Sequence, residues 1–268
     1  MSTLHDAAQQ FVAKVAFDSP TLYKDDDQRP YNWYWYGQAQ KVGPQNEWSL
    51  EPVPNQENPL TPFQPPAIAL IGFPDNPEQP APFCGSIVLK QFLSVTDCSG
   101  FVAYIVDQVH STAFRSYERY ALTMRQQLPA LQQLDQKHGQ HWPSAADWAF
   151  AGQIGGLPGE WMLVGNSSSG LEMANVQPGD ILAWAATDSQ DTGHVVIVDS
   201  VMPLTATSWM VNVLDASSVE HANDSRQNRG GTGTGGIQVS YDEGWQILFN
   251  TGDNPHTVDP IAVLRLTS

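Results

Sequence analysis

A change of hydrophobic period near residue 176 constrains this chain most. Upstream, apolar residues recur at helical spacing in three stripes. They are Leu4, Ala7, Ala8, Phe11, Val12 and Val15; then Phe101, Val102, Ile105, Val106 and Val109; then Phe114, Tyr117, Ala121, Met124, Leu128 and Leu131. Downstream, the apolar residues gather in short β-like runs at 181–184, 194–201, 209–214, 237–241, 245–249 and 261–266. Turn-forming residues separate the first three runs: Gln177–Asp180 lies before them, and Asp188–Gly193 and Pro203–Ser208 lie between them. Helices first and strands later predict an α+β fold with an antiparallel sheet.

Local signals refine this outline. Ser2 or Thr3 caps the first helix. Pro129 lies inside the third stripe, so two helices are expected there, with Pro129 in the first turn of the second. Residues 145–151 read as one more helical turn. More than half of the 20 prolines fall between residues 44 and 82, which forbids regular helix and most strand pairing. That stretch reads as an extended insertion that packs on the domain, with one short strand over 67–73. The aromatic run Tyr31–Tyr36 is either a strand or a groove-lining loop. Residues 152–170 read as a Gly- and Ser-rich loop, and 230–236 as a flexible loop or a turn with positive φ.

Composition sets the function classes. The 268 residues make one large domain or two small ones and can bury a core without disulfides. The formal charge of −16 argues against a nucleic-acid or anionic-lipid partner. No apolar stretch is long enough to span a bilayer, and residues 1–17 lack the apolar core and cleavage site of a secretory signal. The two cysteines, Cys84 and Cys98, could form one disulfide, but this would consume the thiol that the next motif needs.

That motif is Asp97-Cys98-Ser99-Gly100-Phe101-Val102, where a cysteine opens an apolar helix. A helix N-terminus lowers a thiol pKa, and so does a neighbouring imidazolium. Far downstream, Gly193-His194 opens a β-like run. With the hairpin turn midway between Met202 and Thr207, His194 is expected opposite Asp215, Val196 opposite Val213 and Val198 opposite Val211. Asp215 then shares the face of His194, and Asn212 faces away. Thiol, base and orienting acid are the parts of nucleophilic catalysis, and the backbone N–H groups after Cys98 suit an oxyanion. Cys84 reads as structural. His221, Asp224 and Arg226 read as residues that hold a loop together rather than as a second site. His138 and His141 have no Cys or acid cluster beside them, so no metal and no cofactor are expected.

The cysteine string, the Pro178-Gly179-Asp180 turn before a strand and Gly193-His194 together resemble the NlpC (NlpC and p-sixty) group of cell-wall cysteine peptidases. The resemblance covers about half the chain. It implies a papain-like α+β fold with helices packed on a central antiparallel sheet. One domain spans 1–268, with a Pro-rich insertion at 38–93 and a helical and loop insertion at 111–175. It implies Cys98, His194 and Asp215 as catalytic residues and Tyr31, Asp97, Ser99 and Gly193 as the substrate-binding set. The implied substrate is a peptidoglycan stem peptide or muropeptide, cut most often at the D-γ-glutamyl-diaminopimelate bond. That substrate places the enzyme in the bacterial periplasm or outside the cell, and a delivered effector and a cytoplasmic enzyme that recycles wall fragments stay open as alternatives. The alternatives are a silent wall-binding module and another amidase or acyl-transfer reaction.

Overall fold

The computed structural model describes residues 3–18, 32–34, 40–42, 47–49, 84–88, 91–96, 98–132, 143–186, 193–217, 219–225, 231–250 and 253–267. Helices among the described residues include α1 (Leu4–Asp18), α2 (Cys98–Gln127) and α3 (Ala145–Ala149). Five short strands precede α2: β1 (Asn32–Tyr34), β2 (Gln40–Val42), β3 (Glu47–Ser49), β4 (Cys84–Val88) and β5 (Gln91–Thr96). Seven follow it: β6 (Trp161–Asn166), β7 (Ile181–Ala186), β8 (His194–Pro203), β9 (Ser208–Ser217), β10 (Gly231–Tyr241), β11 (Trp245–Leu248) and β12 (His256–Leu266).

The later strands do not make an open sheet. Their order is β11-β10-β9-β8-β7-β12, all antiparallel, and β12 returns to pair with β11 through Gln246–Thr257 and Ile247–His256. The result is a closed six-stranded barrel, with β6 pairing along β12 outside the ring. This corrects the papain-like α+β expectation of helices packed on a central sheet: the molecule is mostly sheet, with few helices. Strands of 10 or 11 residues twist far enough to coil, and closure leaves the ring without free edges.

Closure also explains why β8 is apolar on both faces. Inside the ring, Leu182, Trp184, Val196, Val198, Val211, Val213, Ile237, Val239, Ile261 and Val263 form one buried cluster. Outside, Ile181, Ala183, Ala185, Val195, Ile197, Leu214, Ala216, Ala262 and Leu264 form another, with Leu4, Ala8 and Phe11 of α1, Phe101, Val102 and Ile105 of α2, and Trp148 of α3. The helices thus lie on the outer wall of the barrel.

Local expectations fare unevenly. Thr3 caps α1 as part of a reciprocal pair: its Oγ1 accepts the Asp6 N–H at 3.1 Å and its own N–H reaches Asp6 Oδ2 at 3.2 Å. These bonds from Thr3 hold the Asp6 carboxyl below its ordinary range. α2 bends at His110, whose φ of −153° is not helical, and His110 Nδ1 accepts the Ala113 N–H to restart the helix. Helix resumes again at Pro129. The stretch 152–170, a loop by composition, contains β6, and 231–236, a flexible loop or positive-φ turn by composition, is the first half of β10. Gly236 of β10 serves close approach rather than positive φ. A Cβ on Gly236 would lie 2.9 Å from Met210 Sδ. The 67–73 strand, most of the Pro-rich stretch, His138 and His141 lie outside the described residues. Asn32–Tyr34, within the aromatic run, pairs in parallel with β5.

Candidate functional site

Four features place His194 in one end of the barrel. It opens β8 opposite Trp184 of β7. Gly193 precedes it with a φ of +103°, and a Cβ there would sit 1.9 Å from the Trp184 carbonyl oxygen. Only glycine lets the chain turn into β8 this close to β7. The imidazole then stands among the rings of Trp184, at 5.3 Å, and Phe249, at 6.1 Å. Gly193 therefore has a structural task that the resemblance did not assign to it.

Asp215 enters from β9 and is fully buried. Its Oδ2 lies 2.7 Å from His194 Nε2. The register differs from the expected one: Val198 pairs with Val213 and Val201 with Val211, so Asp215 lies diagonal to His194 rather than opposite it. The shift amounts to two residues at His194, which preserves the face. Asn212, on the other face, donates to Ser200 Oγ at 2.8 Å.

A third group, expected only as loop support, completes the cluster. After β9 the chain returns to β10, where Ala222 and Gly236 form an antiparallel bridge and the Ala222 N–H also meets the Phe249 carbonyl at 3.0 Å. This lays His221 beside Asp215, with Nε2 3.1 Å from the same Oδ2. His221 Nδ1 faces the Val219 carbonyl at 2.9 Å, and its backbone N–H donates to Asp224 Oδ2 at 2.8 Å. Asp224 does hold the loop, as expected, while Arg226 lies outside the described residues. His194, Asp215 and His221 offer ligand atoms within 4.8 Å of one another, the type of set that holds a divalent metal. Sequence spacing could not reveal His221, because its approach depends on a bridge to a strand that comes later in the chain.

Cys98 is the first residue of α2, buried at 5% exposure, and it is not in a disulfide. Ser99 follows it, also buried. Cys98 belongs to the outer cluster, whereas the His194 ring stands with Trp184 on the inner side of the wall. α2 packs on β8 and β9, so both strands that carry the His–Asp pair lie under the helix that carries the thiol. Tyr31 and Asp97 lie outside the described residues.

The Pro178-Gly179-Asp180 turn is a structural joint. Asp180 is buried and receives Arg265 Nε at 2.7 Å and the Gln177 N–H at 2.8 Å. Hydrogen bonding to Asp180 raises the Arg265 pKa further above its usual value. The Gly179 N–H donates to Val198 O at 2.8 Å. No family model, curated protein or solved structure matches the chain.

Proposed function

We propose that the protein is a thiol-dependent amide hydrolase acting on peptidoglycan stem peptides, with Cys98 as nucleophile and His194 as base. The observation that carries this reading is the buried 2.7 Å contact between His194 Nε2 and Asp215 Oδ2. A carboxylate there accepts from Nε2–H and leaves Nδ1 as the basic nitrogen. The reading rests on these residues and on the string that opens α2, because the expected scaffold is not the one found. It requires the Cys98 thiol, in the outer cluster, to meet the His194 ring, which stands on the inner side of the wall.

The reaction runs in two halves. His194 takes the thiol proton, and the thiolate sulfur bonds to the substrate carbonyl carbon. The C–N bond breaks as His194 returns the proton to the leaving amine. Water then attacks the thioester and gives a proton to His194, and the C–S bond breaks to release the acid. The departing thiolate regains its proton from His194, so one water is consumed. The N–H groups at the start of α2 favour the oxyanion.

The test is mass spectrometry of the tetrapeptide L-Ala-γ-D-Glu-diaminopimelate-D-Ala after incubation with wild type and Cys98→Ala. Cleavage by wild type alone supports the reading. Cleavage by both, or by neither on this peptide and on intact sacculi, refutes it.

A further inference from the structure

We propose that His194, Asp215 and His221 form a binding site for a divalent transition ion of the zinc class, held by His194 Nε2, Asp215 Oδ2 and His221 Nε2. Binding there excludes thiol catalysis, a consequence that rests on the hydrolase reading; the site itself does not.

The observation that carries the site is the way His221 is turned. The Val219 carbonyl lies 2.9 Å from Nδ1 and only accepts, so Nδ1 is the donor. Nε2 then turns its lone pair onto Asp215 Oδ2 at 3.1 Å. Two acceptors at that spacing attract a cation between them. A backbone carbonyl behind one ring nitrogen is also how proteins orient a metal-binding histidine. The pose is fixed from behind, since the His221 N–H donates to Asp224 Oδ2 at 2.8 Å and Ala222 bridges to Gly236. From β8, His194 Nε2 meets the same Asp215 oxygen at 2.7 Å. Ligand atoms thus converge from β8, β9 and the segment before β10, all within 4.8 Å of one another.

The donor set selects the ion. Two imidazoles and one carboxylate suit zinc and its first-row neighbours, whereas calcium and magnesium call for oxygen ligands. Around zinc, with bonds of about 2.0–2.1 Å, tetrahedral ligand atoms stand about 3.3 Å apart, so the contacts need open by less than about 1 Å. Asp215 and His221 are buried, and Trp184 and Phe249 each bring a ring to 5.3 Å from one of the histidines. This dry frame strengthens the attraction between the carboxylate and the ion. Three protein ligands leave a further position for water.

The ion also changes what His194 can do. Without it, Nε2–H donates to Asp215 and Nδ1 is the base. With zinc on Nε2, the ring hydrogen resides on Nδ1, and no basic nitrogen remains to take the Cys98 proton. Metal binding and thiol chemistry therefore exclude each other.

The test is titration of the full chain with zinc, after dialysis against a chelator, read by calorimetry, with cobalt(II) spectra as a second readout. Wild type is expected to take up a single zinc ion per chain, and cobalt(II) to show visible bands without a thiolate charge-transfer band. Cys98→Ala and the double variant His138→Ala with His141→Ala should keep this affinity. His221→Gln should weaken it about a hundredfold, the upper end of what even a residue behind the ligands costs. Thermal unfolding of metal-free His221→Gln checks that it folds, and the wild-type and Cys98→Ala results decide without it. No uptake by wild type would leave a proton as the bridging cation and overturn the proposal. So would uptake that vanishes in Cys98→Ala or in the double variant, or that persists unchanged in a folded His221→Gln. One equivalent of zinc should also stop cleavage of the stem tetrapeptide, and chelator should restore it; cleavage that rises with zinc overturns the exclusion. A metal-free protein that cleaves nothing fails the hydrolase reading, while the binding results, which need no substrate, decide the site separately.

Discussion

His194 and Asp215 meet at 2.7 Å because of a single unpaired residue between them in the hairpin, Asp199. From its turn up to Ser200–Asn212, the β8–β9 ladder follows a register that would put Asp215 on the face opposite His194. Asp199 is the extra residue of a β-bulge between Val198 and Ser200, and it moves the register by one. The pair then falls on the inner face. The bulged side chain points outward, where Oδ1 accepts from Gln9 at 3.0 Å and contacts His5 Nε2 at 2.8 Å. One residue thus sets the site and anchors α1.

Deleting Asp199 is expected to turn His194 away from Asp215 or to force the hairpin to slip. Asp199→Ala keeps the bulge and loses only the half-exposed contacts to α1, at about 0.5–1 kcal/mol. Thermal unfolding and the His194 ring signals should separate the two variants. The account fails if the deletion leaves the His194 tautomer unchanged.

Gly193→Ala is expected to cost about 2–3 kcal/mol through the clash with the Trp184 carbonyl and the positive φ. Denaturant unfolding measures it. A loss below about 0.5 kcal/mol would show that β7 and β8 separate easily there.

On the outer wall, Asp147 is fully buried and is met by Arg125 Nε at 3.0 Å while it caps α3 through the Ser144 N–H at 2.6 Å. Arg125→Met leaves this carboxylate uncompensated and should cost about 3–5 kcal/mol. Arg125→Met with Asp147→Asn should recover part of that. Additive losses in the double variant would contradict the pairing.

Tyr117 stacks on Trp148 at 3.9 Å and donates to the Asp147 carbonyl at 3.1 Å. Burial, then the Asp147 charge, then Tyr120, push its pKa well above 10.0. The unfolded chain ionises at the ordinary value, so this contribution to stability is complete below about pH 10 and is lost as pH rises beyond it. Unfolding temperatures between pH 8 and 11 should fall more steeply for wild type than for Tyr117→Phe. Parallel curves would remove Tyr117 as the cause.

Local structure was legible in the sequence wherever a short window contained its cause. The Thr3 cap, the start of α2 at Cys98 and the β8–β9 hairpin follow from local pattern. The shared face of His194 and Asp215 was expected from a register that differs from the one found, and it is reached only through the bulge at Asp199, which no periodicity marks. Barrel closure was not legible, because it depends on Ile247 meeting His256 and on β12 entering between β7 and β6. No local pattern encodes such pairings. The glycines of β10 misled because glycine weakens a strand on average, while here Gly236 admits the Ala222 backbone. His221 was hidden for the same reason, since its place is fixed by that bridge.

The central claim is that the His194–Asp215 pair activates Cys98. Its most direct test is the rate of iodoacetamide labelling of each cysteine against pH, read by mass spectrometry in wild type and Asp215→Asn. The account predicts that Cys98 labels faster than Cys84 at neutral pH and that Asp215→Asn removes the difference. Equal slow labelling of both cysteines in wild type, or a Cys98 rate indifferent to Asp215, would contradict it.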